Sequence, residues 1–398
     1  MAAHDAQELE RDARQQVDDR FDTHQVPWLR RLVLQPSCTR EPQDVEAAAA
    51  IVDETMADLG LVRTLHPDPG GACADHRVYA TRGAADGARA LALVGHLDTV
   101  FPRSVGFLSF QRDGDRIRGP GVLDMKSGLS SIVFALDALR RVLPTALDEL
   151  PLRVVCVTDE ELGSPSSRAL YEAIAPATTA ALVFEAGRRE DRIVMRRKGG
   201  GVFTVTAHGR AAHAGIQHEA GVSAIHAIAL AIVELEGLTQ YGRGVTVNVG
   251  LIEGGIAKNT VPDCARCVVD VRFERAEDGL GLEERLHGLA SLILPERLRQ
   301  ARLVVEGGIT RPPMEATDAS QALRLEYESC AALVGLGTGE APLQGGGSDA
   351  NLLSAYGVPC IDGLGPFGEH FHTVEEWSSL ESLRRRTGAL VAFLARRL

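Results

Sequence analysis

No stretch of this 398-residue chain approaches the ~18 consecutive apolar residues of a membrane-spanning helix. The opening residues, MAAHDAQELERDARQQ, hold no apolar core, so a secretory signal is not expected. A basic excess is missing too. Against 54 Asp and Glu stand 42 Lys and Arg, a formal charge of -12, which argues against nucleic acid and anionic membrane as partners. A few local arginines can still hold a small anion. Cysteines number seven, odd and scattered, which suits a reducing compartment better than a disulfide scaffold, and the cytoplasm is the expected location. Cys264 and Cys267 form a C-x-x-C, but CARCVVDVRF reads as a strand, where positions three apart face opposite ways. Zinc binding by that pair is not expected. Internal repeats and low-complexity linkers are also lacking.

What is present is a large apolar fraction, 45%, ordinary for a globular protein whose length allows two or three domains. Helical patterns cover 5–20 and 43–59. Continuous apolar runs at 90–95, 152–157 and 180–184 read as buried strands, with helices over 126–143 and 166–174. That alternation predicts a largely parallel sheet covered on both faces. After residue 198 the runs alternate: strands at 201–209, 244–252, 264–273 and 301–307, with helices over 222–238 and near 280–293. The order β-α-β-β-α-β predicts a ferredoxin-like unit. From about 311 helices return, with one short strand at 358–362. The expected architecture is an α/β catalytic domain (1–197 and 311–398) with a mostly parallel central sheet, interrupted by a smaller α+β domain (198–310).

Each early parallel strand runs into metal-compatible side chains: His96 and Asp98, then Asp159, Glu160 and Glu161, then Glu185. Sites in open α/β sheets form outside the carboxyl ends of the strands. An isolated acidic triplet reads first as a solvated turn at a strand end; three such endings together point to chemistry. His96 and Asp98, two apart, face one side of an extended chain, and a ligating histidine commonly gives its second N–H to a carboxylate. A solvent-facing pair is the alternative. Asp124, between a Gly-Pro-Gly loop and a helix, reads either as a plain N-cap or as a carboxylate able to bridge two cations. His370 and His372 follow the last strand, in a loop where histidines are commonly just exposed.

Seven fragments in order, GHLDTV, GPGVLDMKSGL, TDEELGS, FEAG, AAHAG, GGGSDAN and HTVEEW, resemble the M20 family of co-catalytic zinc peptidases and deacylases from about residue 90 to 377. The resemblance implies a zinc-exopeptidase-like catalytic domain, with the ferredoxin-like insert acting as a lid and dimerisation domain. It implies two Zn²⁺ per subunit, with Co²⁺ or Mn²⁺ as substitutes. His96 and Glu185 would bind one ion, Glu161 and His372 the other, and Asp124 both. His372 is chosen over His370 because the family's Glu-aromatic pair follows four residues later, here Glu376-Trp377. Asp98 would orient His96, and Glu160 would be the general base. Adjacent glutamates with different tasks suit an extended chain, whose successive side chains diverge.

In the insert the resemblance makes His213 the group that stabilises the oxyanion, and Asn259 and Arg272 anchors for a substrate carboxylate. Arginine's planar fork holds a carboxylate bidentately; the alternative for Arg272 is a surface cation. Gly345, Gly346 and Gly347 permit close backbone approach to substrate or form a flexible turn. The implied activity is hydrolysis of an amide next to a free carboxylate, in small peptides or N-acyl amino acids. Glu185 leans towards the G2-like glutamate carboxypeptidases. The alternatives are an N-acyl-amino-acid deacylase of the acetylornithine deacetylase or succinyl-diaminopimelate desuccinylase type and, outside catalysis, an amino-acid- or peptide-binding protein. The resemblance also implies a homodimer through the insert, with His213 reaching the partner's site.

Overall fold

The computed structural model describes residues 6–84 and 88–398, so residue 5 of the expected first helix lies outside the described residues. The chain forms two compact units: one of Met1–Arg196, Ala316–Gln344 and Ser348–Leu398, the other of Arg197–Glu315 with Gly345–Gly347. The second unit extends past residue 310 because its last strand runs on to Arg311.

The first unit is built on a six-stranded sheet in the order Val62–His66, His76–Ala80, Leu152–Val157, Ala90–His96, Thr178–Val183, Cys360–Ile361. The last four run parallel and the first two pair antiparallel at one edge, so the sheet is mixed with a parallel centre. Every residue of Ala90–His96 is buried, as a strand flanked by partners on both sides requires. The helices Lys126–Val142 and Leu380–Ala395 contribute the apolar side chains that join the sheet in one core, among them Leu129, Ile132, Leu390 and Phe393 beside Leu93 and Leu182.

Two glycines set how closely the helix Lys126–Val142 approaches the sheet. A Cβ on Gly128 would lie 2.1 Å from the Phe184 carbonyl oxygen, and one on Gly95 would lie 2.5 Å from Met125 Cε. Backbone meets backbone here, so a side chain at 128 would push the helix off the sheet. That close packing seats the loop before the helix, with Asp124, over the strand ends.

A small sheet of Gln111–Asp113, Arg116–Arg118, Trp377–Ser379 and Gly368–Glu369 completes the first unit. Its strands of two or three residues are too short to leave a periodic pattern in the sequence. Pairing of Trp377 with Arg118 ties the loop carrying His372 to the segment that leads into Asp124.

The second unit is a four-stranded antiparallel sheet in the order Thr246–Gly254, Cys264–Phe273, Gly199–His208, Arg302–Arg311. With the helices Ala224–Glu236 and Ala276–Gly288 in the connections, the chain order is β-α-β-β-α-β, that of a split β-α-β unit. Alternation along Cys264–Phe273 buries Cys267, Val269 and Val271 in the unit's core and turns Cys264 out to solvent. The C-x-x-C cysteines thus face opposite ways. Among the described residues no helix is long and apolar enough to cross a membrane.

Candidate metal centre

The strands Leu152–Val157, Ala90–His96 and Thr178–Val183 are adjacent and parallel, with His96 level with Val157 and Val94 level with Val183. Their carboxyl ends therefore open at one edge, and the residues that follow each strand converge there. His96 Nε2 lies 3.1 Å from Asp124 Oδ1 and 3.7 Å from Glu185 Oε1. His372 Nε2 lies 3.2 Å from Asp124 Oδ2 and 3.0 Å from Glu161 Oε2. Asp124 thus turns one oxygen to each of two histidine–carboxylate sets. A Glu160 carboxylate oxygen is within 4.8 Å of donors from His96 and Glu185.

Local structure accounts for these directions, though not always as the sequence suggests. Asp159 to Glu161 does not continue the strand: Glu160–Leu162 is a 3₁₀ turn, closed by Gly163 in the left-handed conformation. The adjacent glutamates diverge because three residues complete a turn, not because a pleat alternates. Asp159 is buried, and its Oδ2 accepts the N–H groups of Ser166 and Ser167 at the start of the helix Ser167–Ile174. Asp124 caps nothing; the residue at the head of the helix Lys126–Val142 is Met125 and no side chain caps it.

His96 Nδ1 is 3.0 Å from the Asp98 backbone carbonyl and 3.4 Å from its carboxylate. The nearer partner is the carbonyl, which fixes the ring so that Nε2 faces the cluster. Asp98 Oδ1 is the atom that faces His96, while its Oδ2 accepts the hydroxyl of Thr39 at 2.7 Å and the Glu161 N–H at 3.1 Å. It joins two of the strand-end segments.

One residue with no role assigned from the sequence holds the centre together. Glu376, fully buried, accepts the N–H groups of Leu123 at 2.6 Å, Asp124 at 3.1 Å and Gly121 at 3.3 Å. It links the His372 loop to the Asp124 loop, and burial pushes its carboxyl up to about 7. Its only signal was membership in HTVEEW, where it served to choose between histidines. Lys126 and Thr39 were also missed. Lys126 donates to the Gln35 carbonyl at 2.8 Å, and burial pushes it down to about 7. Thr39, far away in sequence, carried no signal.

The cluster's electrostatics show how strongly its histidines and carboxylates are paired. Burial opposes charge on His96, yet hydrogen bonds to Asp124 and Asp98 outweigh it and hold the ring well above its ordinary range. Hydrogen bonds to Asp124 and Glu161 push His372 up to about 10. Burial, together with the Asp124 charge, raises Glu185 and Glu161. Carboxylates crowded at this density favour positive charge among them. The spacing also fits a metal. Donors about a tetrahedral Zn²⁺ stand about 3.3–3.6 Å apart, and the pairs here span 3.0–3.7 Å.

The remaining candidates belong to the second unit. His213 pairs with Thr260 in a two-stranded ribbon, is exposed, and its Nδ1 accepts the Gly215 N–H at 3.2 Å. Asn259 is exposed, and its carbonyl accepts the Ala214 N–H at 2.9 Å. Arg272 is held bidentately by Asp270 on its own strand, at 3.0 and 2.9 Å. Of the three glycines, Gly346 accepts from Arg197 at 3.1 Å and a Cβ on Gly347 would meet Arg311 Cδ at 2.3 Å, whereas Gly345 has open space.

Fold and donor set together define a metallohydrolase. The chain belongs to peptidase family M20/M25/M40, whose sequence model matches residues 92–396. It is 26% identical over 364 residues to carboxypeptidase G2 of Pseudomonas sp. (strain RS-16), covering 91% of this chain and 86% of that protein. Aminopeptidase PepT from Bacillus cereus ATCC 10987 shares the fold with a TM-score of 0.76 at 23% identity, over 93% of this chain and 97% of that one. So does the Bacillus subtilis YXEP protein, described as a dinuclear metal binding peptidase from the M20 family, with a TM-score of 0.69 at 16% identity over 96% and 99% of the two chains.

Proposed function

We propose that this metallopeptidase holds two Zn²⁺ ions and cleaves an amide bond next to a free carboxylate, as a carboxypeptidase acting on small peptides or N-acyl amino acids. The observation that carries this reading is Asp124, with one oxygen toward His96 and the other toward His372. His96 and Glu185 would hold one ion, His372 and Glu161 the second, and Asp124 both. No thiolate is in the set, so Co²⁺ and Mn²⁺ are compatible substitutes. The likeness to carboxypeptidase G2 along 91% of the chain supports the choice of reaction.

Bound ions supply Lewis acidity and lower the pKa of a coordinated water. Glu160 takes the proton of the attacking water and returns it to the departing amine, work for which a carboxylate beside the cluster suffices. Asp98 keeps Glu161 in place through the Glu161 N–H. In the second unit His213 polarises the scissile carbonyl, Arg272 and Asn259 receive the substrate carboxylate, and the Gly345–Gly347 amides approach its backbone.

The second unit also supports a homodimer. Thr246–Gly254 is one of the sheet's two edge strands, with Leu251 and Ile252 exposed by 69% and 60%. An apolar, unpaired edge is covered most simply by the same edge of a second copy across a two-fold axis.

A panel of dipeptides, dipeptide amides and N-acyl amino acids, assayed before and after chelation, tests the reading. Release of amine from substrates ending in a free carboxylate, lost on chelation and restored by Zn²⁺, is expected. Turnover confined to N-acyl amino acids selects the deacylase instead, and full activity in metal-free protein ends the proposal.

A further inference from the structure

A second group of metal-type donors lies one residue away from the catalytic turn. Cys73, His76 and Asp159 are exposed by 8%, 2% and 1%, and their donor atoms lie within 4.8 Å of one another. We propose that they form a third cation site in this chain, taking a divalent ion of the zinc or cobalt kind, separate from the centre of His96, Asp124 and His372.

Three features beyond proximity support it. Asp159 Oδ2 is engaged by the Ser166 and Ser167 amides, but its Oδ1 is fully buried and has no hydrogen-bond partner. A buried carboxylate oxygen left unpaired carries a desolvation penalty unless a ligand takes it up. The imidazole of His76 is already oriented as a ligand. The Thr158 hydroxyl gives its single proton to the Ala74 carbonyl at 2.5 Å, so it must accept from His76 Nδ1, 3.0 Å away. That leaves the Nε2 lone pair pointing into the cluster, where the Ser166 hydroxyl meets it at 2.6 Å and lies 3.6 Å from Cys73 Sγ. Third, the Cys73 loop is held independently of any ion: Asp68 accepts the N–H groups of Gly70, Ala72 and Cys73.

The chemistry chooses the ion class. A thiol, an imidazole and one carboxylate select zinc-type cations over Mg²⁺ or Ca²⁺, which take all-oxygen sets. Burial raises the Cys73 thiol, so it is no reactive thiolate by itself; coordination is what would remove its proton. Donors about such an ion stand about 3.3–3.6 Å apart, so side-chain rotation closes the present spacing. Ser166 Oγ or a water completes the set. Because Asp159 directly precedes Glu160 and Glu161, an ion here would anchor the 3₁₀ turn that carries them.

Cobalt substitution tests the site apart from the catalytic centre, whose donors include no thiolate. Purified full-length protein loaded to saturation with Co²⁺ should show a near-ultraviolet thiolate-to-cobalt charge-transfer band. Cys73→Ser should lose the band and about one equivalent of bound cobalt, and His76→Gln should weaken both. Glu161→Gln should keep the band while losing metal from the catalytic centre, so failure of that centre cannot be mistaken for failure of this site. Circular dichroism checks that each variant is folded. A saturated wild-type protein without the band overturns the proposal, as does a band unchanged in folded Cys73→Ser; were that variant unfolded, the same criterion applies to His76→Gln.

Discussion

The two units hold their candidate residues in opposite ways. In the first, His96 and Asp98 are about 1% exposed and the carboxylates of Asp124, Glu161 and Glu185 converge within 3.7 Å of two histidines. Burying so many charges is costly, and only opposite charge at short range offsets it. The internal contacts of the first unit therefore reveal its chemistry. In the second, His213 and Asn259 are exposed and the Arg272 side chain is 42% exposed. Water reaches all three, and Arg272 keeps its ion pair with Asp270 within the same unit.

The sharpest way to break this contrast is within the first unit. Glu160→Ala should lose at least ~10²-fold in turnover while keeping its metal. Glu161→Ala should lose metal, chiefly from one of two sites. Metal analysis beside kinetics decides, and the reverse pattern would exchange the two roles.

Arg272→Ala carries the contrast into the second unit. Losing a charge-assisted anchor should cost on the order of 2–3 kcal/mol for substrates with a free carboxylate. The matching amides should be nearly unaffected. Equal losses on both would mean that the pair with Asp270 is structural and nothing more.

Glu376→Gln tests whether the buried network, rather than the donors alone, makes the centre. An amide nitrogen facing three N–H groups removes acceptor capacity, and a drop of about 10–100-fold in metal affinity is expected, as for other partners of ligating groups. Unchanged affinity by equilibrium dialysis would reduce Glu376 to a packing residue.

The smallest effect concerns assembly. If His213 serves the partner's site, inactive Glu160→Ala and His213→Ala chains should complement when co-expressed. About half of randomly paired dimers are mixed and each has one intact site, so roughly a quarter of wild-type activity should return. Mass spectrometry must confirm the mixed dimers; no recovery in them means that His213 acts within its own chain or not at all.

The strands of the parallel centre and their acidic endings were legible because buried strands are continuous apolar runs, and the second unit because its strands alternate. The antiparallel strands Val62–His66 and His76–Ala80 were not: one is mostly exposed and both are short, so neither leaves a run that stands out. The 3₁₀ turn at Glu160–Leu162 was taken for extended chain, since three residues carry no period. Asp159 was left open by the sequence, as an acid supporting the ligands or a solvated one; it is buried, accepts two N–H groups at a helix start and has one oxygen unpaired.

Donor identities, their order along the chain and the glycines that allow close packing are properties of the sequence, because each rests on a residue's own chemistry and its neighbours. Which partner each donor meets was decided by the tertiary structure. His96 turns to a carbonyl before a carboxylate, Asp124 divides its oxygens between two histidines, and Glu376 fastens two loops 253 residues apart in sequence. Such contacts depend on strand register and on how closely a helix can approach the sheet, and neither leaves a local trace in the chain.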